Sequence, residues 1–389
     1  MMNYLTAGES HGPQLTGILE GIPAGLTIDV DGINDLLAAR QGGYGRGNRQ
    51  QIEHDQIEIT GGVRHKQTLG SPISLVIKNI DHNHWKDIMN PLIDATPENT
   101  IRNLTRPRPG HADLAGAIKY NHQDLRNVLE RSSARETAMR VAIGAICKQL
   151  LKQLDIDIVG YVEQVGSKIA DKKALLNVEE IENQIKQNDL RVTDQAQVES
   201  IHELIDQTKR NRDTLGGVVR VVATNMPVGM GSYVSFDQKL DGKIAGAVMA
   251  VNAMKGVEIG DGFAISKNPG SAVMDEIDWQ ETKGFGRLTD HLGGFEGGMT
   301  NGMPVIVKAA MKPIPTLYKP LQSADIKTKE IKKANVERSD TTAIVPASIV
   351  IESVVAIELA KVITETFDGS NLERLKRQVV DYRKEVLNF

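Results

Sequence analysis

The sequence has 389 residues, of which 40% are hydrophobic, 25% charged and 4% aromatic, which is typical of a soluble globular protein with a large core. A net charge of −4 argues against a nucleic-acid coat or a membrane-surface protein, since either would normally be basic. No run of about 18 apolar residues indicates a membrane span, and no secretory signal opens the chain, so we expect a cytoplasmic protein.

Apolar periodicity and turn residues predict the elements of the first part of the chain. Strands are expected at residues 3–6, 15–19, 57–60 and 73–77, and a helix at 31–41, ended by two glycines. The strongest helix runs from Ser133 to about Leu154, where Ser133 and Glu136 match a Ser-x-x-Glu capping box. It contains the single cysteine, Cys147, which we expect to be a buried and inert thiol.

The second part of the chain mixes helices and strands without regular alternation. Residues 168–214 are polar and predict a peripheral insertion of one or two surface helices. Strands are expected at 218–223 and 305–310, and helices at 242–254, 343–364 and 371–386. Residues 284–302 hold seven glycines, too many for a regular element. Without a βαβα pattern or a Pro- or Ser-rich linker, we predict one large α+β domain over residues 1–389.

Two short loops present histidines. In Gly8-Glu9-Ser10-His11-Gly12 the glycines allow a tight turn after a strand, and His11 could be a general acid near neutral pH. The alternative is a turn with a surface histidine. In the segment 106–113, two prolines fix the backbone and so aim Arg108 and His111, although a purely structural basic loop is the alternative.

Arginines concentrate in a few further segments, which predicts pockets for small multivalent anions. Residues 40–49 form a glycine-rich loop with Arg40, Arg46 and Arg49, suited to phosphate or carboxylate unless it is simply a solvated loop. Residues 130–137 combine arginines and hydroxyls at a predicted helix start, which also favours anions. Asp340 follows Arg338 and is either a helix N-cap or a carboxylate in a basic site.

Several common motifs are missing from the sequence. The glycine-rich segment 42–47 follows a helix, the wrong context for a dinucleotide fold, and there is no Walker-type loop. His82 and His84 have no partner at a recognised metal-ligand spacing, so we expect no metal. Asn252-Ala253, in a predicted helical stretch, would carry no meaning alone.

Taken together, the segments GESHGP, RQGGYGRG, RPGHAD, ERSSARETAMR, GGFEGGMTNG, MKPIPT and ERSD resemble the signature segments of the chorismate synthase family, in order and spacing. The resemblance implies a β-α-β sandwich with helices between two antiparallel sheets, and a homotetramer. It also implies the reaction, a 1,4-anti elimination of phosphate from 5-enolpyruvylshikimate 3-phosphate that gives chorismate and needs reduced FMN.

The resemblance also implies residue roles at matching positions. His11 would protonate the departing phosphate, His111 would face flavin N1, and Asp340 with Ser10 would manage the proton on flavin N5. FMN is expected along Arg131, Ser132, Ser133, Asn252, Ala253, Gly297, Lys312, Pro313, Ile314, Pro315, Thr316 and Arg338. The substrate is expected at Arg40, Arg46, Arg49, Arg108, Arg135 and Arg338, and NADPH, in members that reduce their own flavin, at Arg40 and Arg46.

Two other classes compete with this interpretation. One is an FMN-binding NAD(P)H-dependent flavin reductase without lyase activity, and the other is a phosphosugar-binding protein without catalysis. Neither requires two histidines and several arginines around a second anion. The sequence leaves open whether the enzyme reduces FMN itself with NADPH or needs an external flavin reductase.

Overall fold

The computed structural model describes residues 2–47, 54–171, 176–337 and 339–389. The first elements are β1 (Asn3–Ala7), β2 (Gln14–Glu20), α1 (Val30–Gln41), β3 (Ile57–Gly61), β4 (Val63–Arg64), β5 (Gln67–Thr68) and β6 (Ile73–Lys78). Strands β1, β2, β6 and β3 form an antiparallel four-stranded sheet in that order, and β4 pairs with β5. The four predicted strands and the helix of this part are confirmed to within one residue at each end.

The middle of the chain begins with helices and then contains both helices and strands. Its elements are α2 (Asp113–Tyr120), α3 (Arg126–Ser132), α4 (Thr137–Lys152), β7 (Asp157–Val165), β8 (Lys168–Ile169), α5 (Val178–Ile185), α6 (Val198–Arg210), β9 (Gly217–Thr224), α7 (Leu240–Met249) and β10 (Met254–Ile259). In the segment 168–214, α5 and α6 bury the apolar faces that carry Ile181, Ile185, Ile201 and Ile205. The polar composition therefore predicted only the outer faces of these two helices.

The last part contains short strand pairs and two long helices. Its elements are β11 (Ile277–Gln280), β12 (Gly284–Arg287), β13 (Phe295–Glu296), β14 (Met299–Thr300), β15 (Val305–Met311), β16 (Gln322–Ala324), β17 (Ile331–Lys333), α8 (Ile344–Thr366) and α9 (Leu372–Asn388). The pairs β11–β12, β13–β14 and β16–β17 are separate two-stranded sheets. Strands β10, β15, β9, β7 and β8 form a five-stranded antiparallel sheet in that order.

Two predicted elements are wrong in this half of the chain. The helix expected at 242–254 ends at Met249, because the chain turns through Ala253, whose φ is 70°, and then enters β10. The glycine-rich segment 284–302 was expected to lack regular structure, but it contains β12, β13 and β14. Strand pairing across the sequence outweighs the low strand preference of glycine here. The mixed helix and strand class with antiparallel sheets is confirmed.

The core lies around α4 and α8, which pack closely against each other. Helix α4 also contacts β2 and β6, and α8 contacts β7 and β9. A Cβ at Gly144 of α4 would lie 2.4 Å from the Ser353 Cβ of α8, so the glycine permits this close approach. Cys147 is fully buried beside this contact, and burial raises the pKa of its thiol to about 12, which confirms the predicted buried thiol.

Candidate active site

The loop between β1 and β2 holds the first histidine motif. Gly8 has a φ of 110°, and a Cβ there would lie 2.5 Å from the Gln14 carbonyl oxygen, so the turn requires glycine. Within the turn, Ser10 and His11 are 4% and 9% exposed. The alternative of a surface histidine is therefore wrong.

His11 is held by Glu130 of α3. The His11 ring Nδ1 lies 2.8 Å from Glu130 Oε1, and the His11 main-chain N–H donates to Oε2 at 2.8 Å. The Ser10 main-chain N–H donates to the Glu130 carbonyl oxygen at 3.0 Å. Burial favours a protonated Glu130, but the hydrogen bonds and charge of His11 and the charge of Arg126, 3.5 Å away, outweigh it and lower the carboxyl pKa below its usual value.

An aromatic side chain stacks on the His11 ring, and two cations lie over that aromatic side chain. Trp85 stacks on it with ring centroids 3.9 Å apart and an angle of 26° between the planes. The guanidinium carbons of Arg102 and Arg126 lie 3.9 Å and 5.2 Å from the centre of the Trp85 ring. His82 Nδ1 is hydrogen bonded to the His11 carbonyl oxygen at 2.9 Å. These contacts fix both the plane of the His11 ring and its backbone.

Ser133 connects the His11 turn to the start of α4. Its hydroxyl donates to Ser10 Oγ at 3.2 Å and accepts from the Arg135 main-chain N–H at 3.2 Å. Glu136 does not return to Ser133, because its carboxylate accepts hydrogen bonds from Thr6 and from Arg140. The predicted capping box is therefore wrong in its second half, and α4 begins at Thr137 after a 3₁₀ turn.

Two of the residues predicted to bind FMN tie neighbouring segments to this turn. Arg131 donates to the carbonyl oxygens of Thr6 and Gly8 at 2.8 Å and 3.1 Å. The Asn252 side chain donates to the Ser132 carbonyl oxygen at 2.9 Å. Asn252 thus lies directly beside α3. It belongs to a turn and not to the helix that the sequence predicted there.

Arg135 and Asn79 form a buried polar cluster with Asp55. Arg135 donates to Asp55 Oδ2 at 2.5 Å and, through Nε and Nη2, to Asn79 Oδ1 at 3.0 Å and 2.8 Å. The Asn79 amide in turn donates to the Gly12 carbonyl oxygen at 2.7 Å. Asn79 therefore couples the guanidinium of Arg135 to the turn that carries His11.

Arg40 lies next to this cluster at the end of α1. Its Nε and Nη2 donate to Thr137 Oγ1 at 3.2 Å and 2.9 Å, and its Nη1 lies 4.0 Å from Asp55 Oδ2. Arg40 is 8% exposed, so the alternative of a fully solvated basic loop is wrong for this residue.

The second histidine loop is built around an ion pair. Arg108 binds Asp113 through Nε at 2.8 Å and Nη2 at 3.0 Å, and its Nη1 donates to Thr316 Oγ1 at 3.2 Å. His111 Nε2 lies 3.2 Å from the same Thr316 oxygen. Burial, helped by the positive charges of Arg108 and Lys312, lowers the pKa of His111 to about 4. His111 is therefore neutral at pH 7.

Thr316 links His111 to Arg108. Its Oγ1 accepts from Arg108 and lies 3.2 Å from His111 Nε2, and because a hydroxyl can both donate and accept, this contact fits either tautomer of the neutral ring. The other ring nitrogen, Nδ1, is buried and makes no hydrogen bond of ordinary geometry with the described residues, although the Pro109 backbone weakly favours the protonated ring. A groove of about 650 Å³ borders this loop and reaches both Arg108 and His111.

Asp340 lies in a third cluster. Arg46 Nη1 is 2.6 Å from Asp340 Oδ2, and the Gly47 main-chain N–H donates to Oδ1 at 2.7 Å. The N-cap of α8 is Ala343, so the alternative that Asp340 caps this helix is wrong. Arg49 and Arg338, two further predicted substrate ligands, lie outside the described residues.

Hydrogen bonds connect most of the predicted FMN segments. The Lys312 main-chain N–H donates to the Ala253 carbonyl oxygen at 3.0 Å, and the Lys312 ammonium donates to the Gly110 carbonyl oxygen. A Cβ at Gly110 would lie 3.2 Å from Pro315, so the 312–316 segment packs on the His111 loop. Gly297 occupies the β13–β14 turn with a φ of 61°, and no described hydrogen bond joins it to these segments.

Sequence reasoning missed the partners that hold these side chains. Glu130 lies inside a recognised motif but was given no role. Trp85, Asp55 and Asn79 are distant in sequence from the residues they contact, and no local pattern marks them.

Nothing in the described part of the chain indicates a resident metal or a membrane span. No group of three or more His, Cys, Asp or Glu side chains among these residues could hold a metal ion. No described helix is both long and apolar enough to cross a membrane.

Comparison with known proteins completes the description of the site. The family model for chorismate synthase matches residues 2–364. The chorismate synthases of Lactiplantibacillus plantarum and Enterococcus faecalis are 69% identical over 389 residues and 55% identical over 390 residues, with full coverage of both chains in each case. A chorismate synthase crystal structure is 40% identical, with a TM-score of 0.81 over 100% of this chain and 99% of the other. The chain therefore belongs to the chorismate synthase family.

Proposed function

We propose that this chain is a carbon–oxygen lyase that converts 5-enolpyruvylshikimate 3-phosphate to chorismate, the last common step of aromatic amino-acid biosynthesis. The family membership and the full-length identity to chorismate synthases support this proposal. The observation that carries it is the burial of His11 on an ionised carboxylate, in a turn coupled through Asn79 to Arg135. Such a site offers an acid next to a cation, as the departure of phosphate requires.

His11 is proposed to act as the acid for the leaving group. The reaction breaks the C–O bond to phosphate and removes a hydrogen from C6, and the oxygen that departs with the electron pair needs a proton or a positive charge. With Nδ1 on Glu130, the His11 nitrogen that can deliver this proton is Nε2. Trp85 keeps the ring plane fixed, which favours delivery in one direction.

The substrate carries a phosphate and two carboxylates, and permanent cations would hold them. We propose the roles expected from the sequence for Arg40, Arg46, Arg49, Arg108, Arg135 and Arg338. Arg108 and Arg135 are pre-oriented by Asp113 and Asp55, and this lowers the cost of arranging their guanidinium groups around an anion.

The residues around His111 are suited to bind FMN, which has both a flavin ring and a phosphate group. His111 Nδ1 is buried and without an ordinary partner in the described chain, and with the ring proton on this nitrogen it would donate to an electron-rich ring nitrogen such as flavin N1. Lys312 offers a positive charge in the same loop cluster. FMN would be held by Arg131, Ser132, Ser133, Asn252, Ala253, Gly297, Lys312, Pro313, Ile314, Pro315, Thr316 and Arg338. When bound in reduced form, it supplies an electron-rich ring beside the breaking C–O bond.

Ser10 and Asp340 are proposed to hold the proton that belongs at flavin N5. Ser10 is connected to Ser133, whereas Asp340 is paired with Arg46, and no described hydrogen bond joins the two residues. Arg46 and Arg40 are also the proposed contacts of NADPH, if the enzyme reduces its own flavin; an external flavin reductase is the other source of reduced FMN.

The remaining proposals concern architecture and setting. We propose one domain with α4 and α8 between the four-stranded and five-stranded sheets, which the contacts of α4 with β2 and of α8 with β7 support. We also propose a homotetramer and a cytoplasmic location, as expected from the sequence. The flavin reductase without lyase activity is not favoured, because relatives that match over their full length are chorismate synthases.

Anaerobic incubation of the purified protein with reduced FMN and substrate tests the proposed function. We expect stoichiometric release of phosphate and formation of chorismate, without net oxidation of the flavin and without sensitivity to EDTA. Full turnover with oxidised FMN and no reductant would contradict the cofactor requirement, and loss of activity after EDTA treatment would contradict the expected independence from metal. NAD(P)H-dependent FMN reduction without phosphate release would identify the reductase instead.

A further inference from the structure

We propose that Glu130 is a positioning residue for His11, which fixes the proton of the neutral ring on Nδ1 and leaves Nε2 as the nitrogen that gains and delivers a proton. The catalytic consequence rests on the proposed function, whereas the tautomer is a property of the fold alone. Glu130 itself is 3% exposed and lies behind His11, so it does not need to contact a ligand.

The carboxylate of Glu130 faces two nitrogen atoms of His11. Glu130 Oε2 accepts the His11 main-chain N–H at 2.8 Å, and a main-chain N–H can only donate. Oε1, 2.8 Å from Nδ1, is also an acceptor when the carboxyl is ionised. Both oxygens therefore require a donor from His11, and the neutral ring must carry its proton on Nδ1.

The negative charge of Glu130 also acts on the His11 ring. The hydrogen bonds and charge of His11, helped by Arg126 at 3.5 Å from Oε1, keep Glu130 anionic, and the carboxylate in turn stabilises the imidazolium that forms when Nε2 is protonated. Other charged groups pack around the ring: Arg102 stacks on Trp85, and Asp81 accepts from Trp85 Nε1 at 3.2 Å, whereas His82 contacts the His11 carbonyl oxygen. Glu9 lies two positions before His11 in the same turn, and Glu337 pairs with Arg126 at 3.3 Å. Glu130 is the carboxylate that is hydrogen bonded to the ring.

An amide in place of the Glu130 carboxylate would reverse the hydrogen bond to the His11 ring. Glu130→Gln has one oxygen and one NH₂ group, and the oxygen must stay on the His11 main-chain N–H. The NH₂ group then faces Nδ1 and forces it to become an acceptor, which moves the ring proton to Nε2. The change is isosteric, so it alters the tautomer and the charge while preserving the packing around Trp85.

The tautomer is measured by ¹⁵N NMR of the protein labelled in its histidine rings, with His11→Ala to assign the signal. We expect a protonated Nδ1 in the neutral ring of the unsubstituted protein and a protonated Nε2 in Glu130→Gln. Glu130→Asp retains both acceptors and the charge, and should retain the Nδ1 proton. A neutral ring protonated on Nε2 in the unsubstituted protein overturns the inference, even if Glu130→Gln does not fold.

Turnover as a function of pH gives the second measurement. Glu130→Gln should lower kcat by about 10²-fold and shift the alkaline limb of the profile to lower pH, since the protonated ring loses its anionic partner. Glu130→Asp should recover at least about tenfold of that loss. Asp261→Asn removes a carboxylate from a different histidine, His291 at 2.7 Å, and should change neither kcat nor the profile. An unchanged kcat and profile in Glu130→Gln would overturn the positioning role.

These outcomes separate this inference from the proposed function. If the unsubstituted protein releases no phosphate, the function fails, but the NMR measurement still decides the tautomer. If the protein is active and the tautomer is the opposite one, the inference fails while the function stands.

Discussion

At the scale of single residues, His111 shows how a fold keeps a histidine neutral at pH 7. Burial and the charge of Arg108 lower its pKa to about 4, whereas a histidine in an unfolded chain titrates near 6.5. Between these two pH values the unfolded chain binds one proton more than the folded chain. Stability therefore rises with pH through this window, and it falls as the solution is acidified from about pH 6.5 towards 4.

This difference predicts a pH-dependent effect of His111→Asn. The substitution removes the linked proton, so the unsubstituted protein should lose about 1 kcal/mol of unfolding free energy relative to the variant between pH 7.5 and 5.5, after allowance for solvent screening of a partly exposed ring. Urea unfolding at the two pH values measures it. His84→Asn, at a ring whose side chain is 76% exposed, is the control and should show no comparable trend. A pH-independent difference for His111→Asn would show that its proton affinity is the same in both states.

Residue types could be predicted from the sequence, but their partners could not. Ser10, His11 and His111 stand out because glycine or proline surrounds them, and the arginines stand out as clusters. That Arg135 is buried on Asp55, 80 positions away, depends on how α4 packs against the chain before β3. Nothing in the sequence around Asp55 marks it as the partner of Arg135, because pairing across such a distance is decided by tertiary structure.

At the scale of elements, periodicity located α4 and α8 but not how closely they approach. Ser133 predicted the start of a helix, but its side chain caps a 3₁₀ turn that precedes α4. Glu136 does not complete a capping box with Ser133, because its carboxylate is bound by Arg140 and Thr6. Gly144, a residue type with low helix preference, lies at the contact with Ser353. Local sequence signals thus predicted the type and the approximate length of these helices. Tertiary contacts determine where the helices end and which positions require a small residue.

Gly144→Ala should therefore destabilise the protein. Its Cβ would lie 2.4 Å from Ser353 Cβ and 2.7 Å from the Ser353 carbonyl oxygen, so α4 and α8 would have to separate, at a cost of about 1–3 kcal/mol. Gly246→Ala in α7 is the matched control, because nothing lies within 4 Å of its Cβ. There, the better helix preference of alanine should add about 0.5–1 kcal/mol. Chemical denaturation of both variants measures the pair, and equal effects would contradict the close contact.

At the scale of the whole molecule, a single set of buried side chains runs from Met2 to Val379 and includes residues of both large sheets. Glu352 of α8, 1% exposed, joins the helix layer to the five-stranded sheet. Its carboxylate accepts the Gly160 main-chain N–H of β7 at 2.7 Å, and it pairs with Lys148 of α4 and with Arg191 at 3.4 Å. A buried carboxylate shared in this way makes the stability of the helix layer and of this sheet depend on each other.

Glu352→Gln therefore tests whether the chain is one cooperative unit. The amide leaves the half-buried cations of Lys148 and Arg191 without their buried counter-charge, which should cost about 1–3 kcal/mol. If the chain is a single domain, the whole thermal transition moves to lower temperature and stays single, with equal calorimetric and van't Hoff enthalpies at each protein concentration. Asp381→Asn breaks an exposed pair with Lys384 and should hardly move the transition. Two resolved transitions, of which only one shifts in Glu352→Gln, would instead show that the two sheets belong to units that unfold separately.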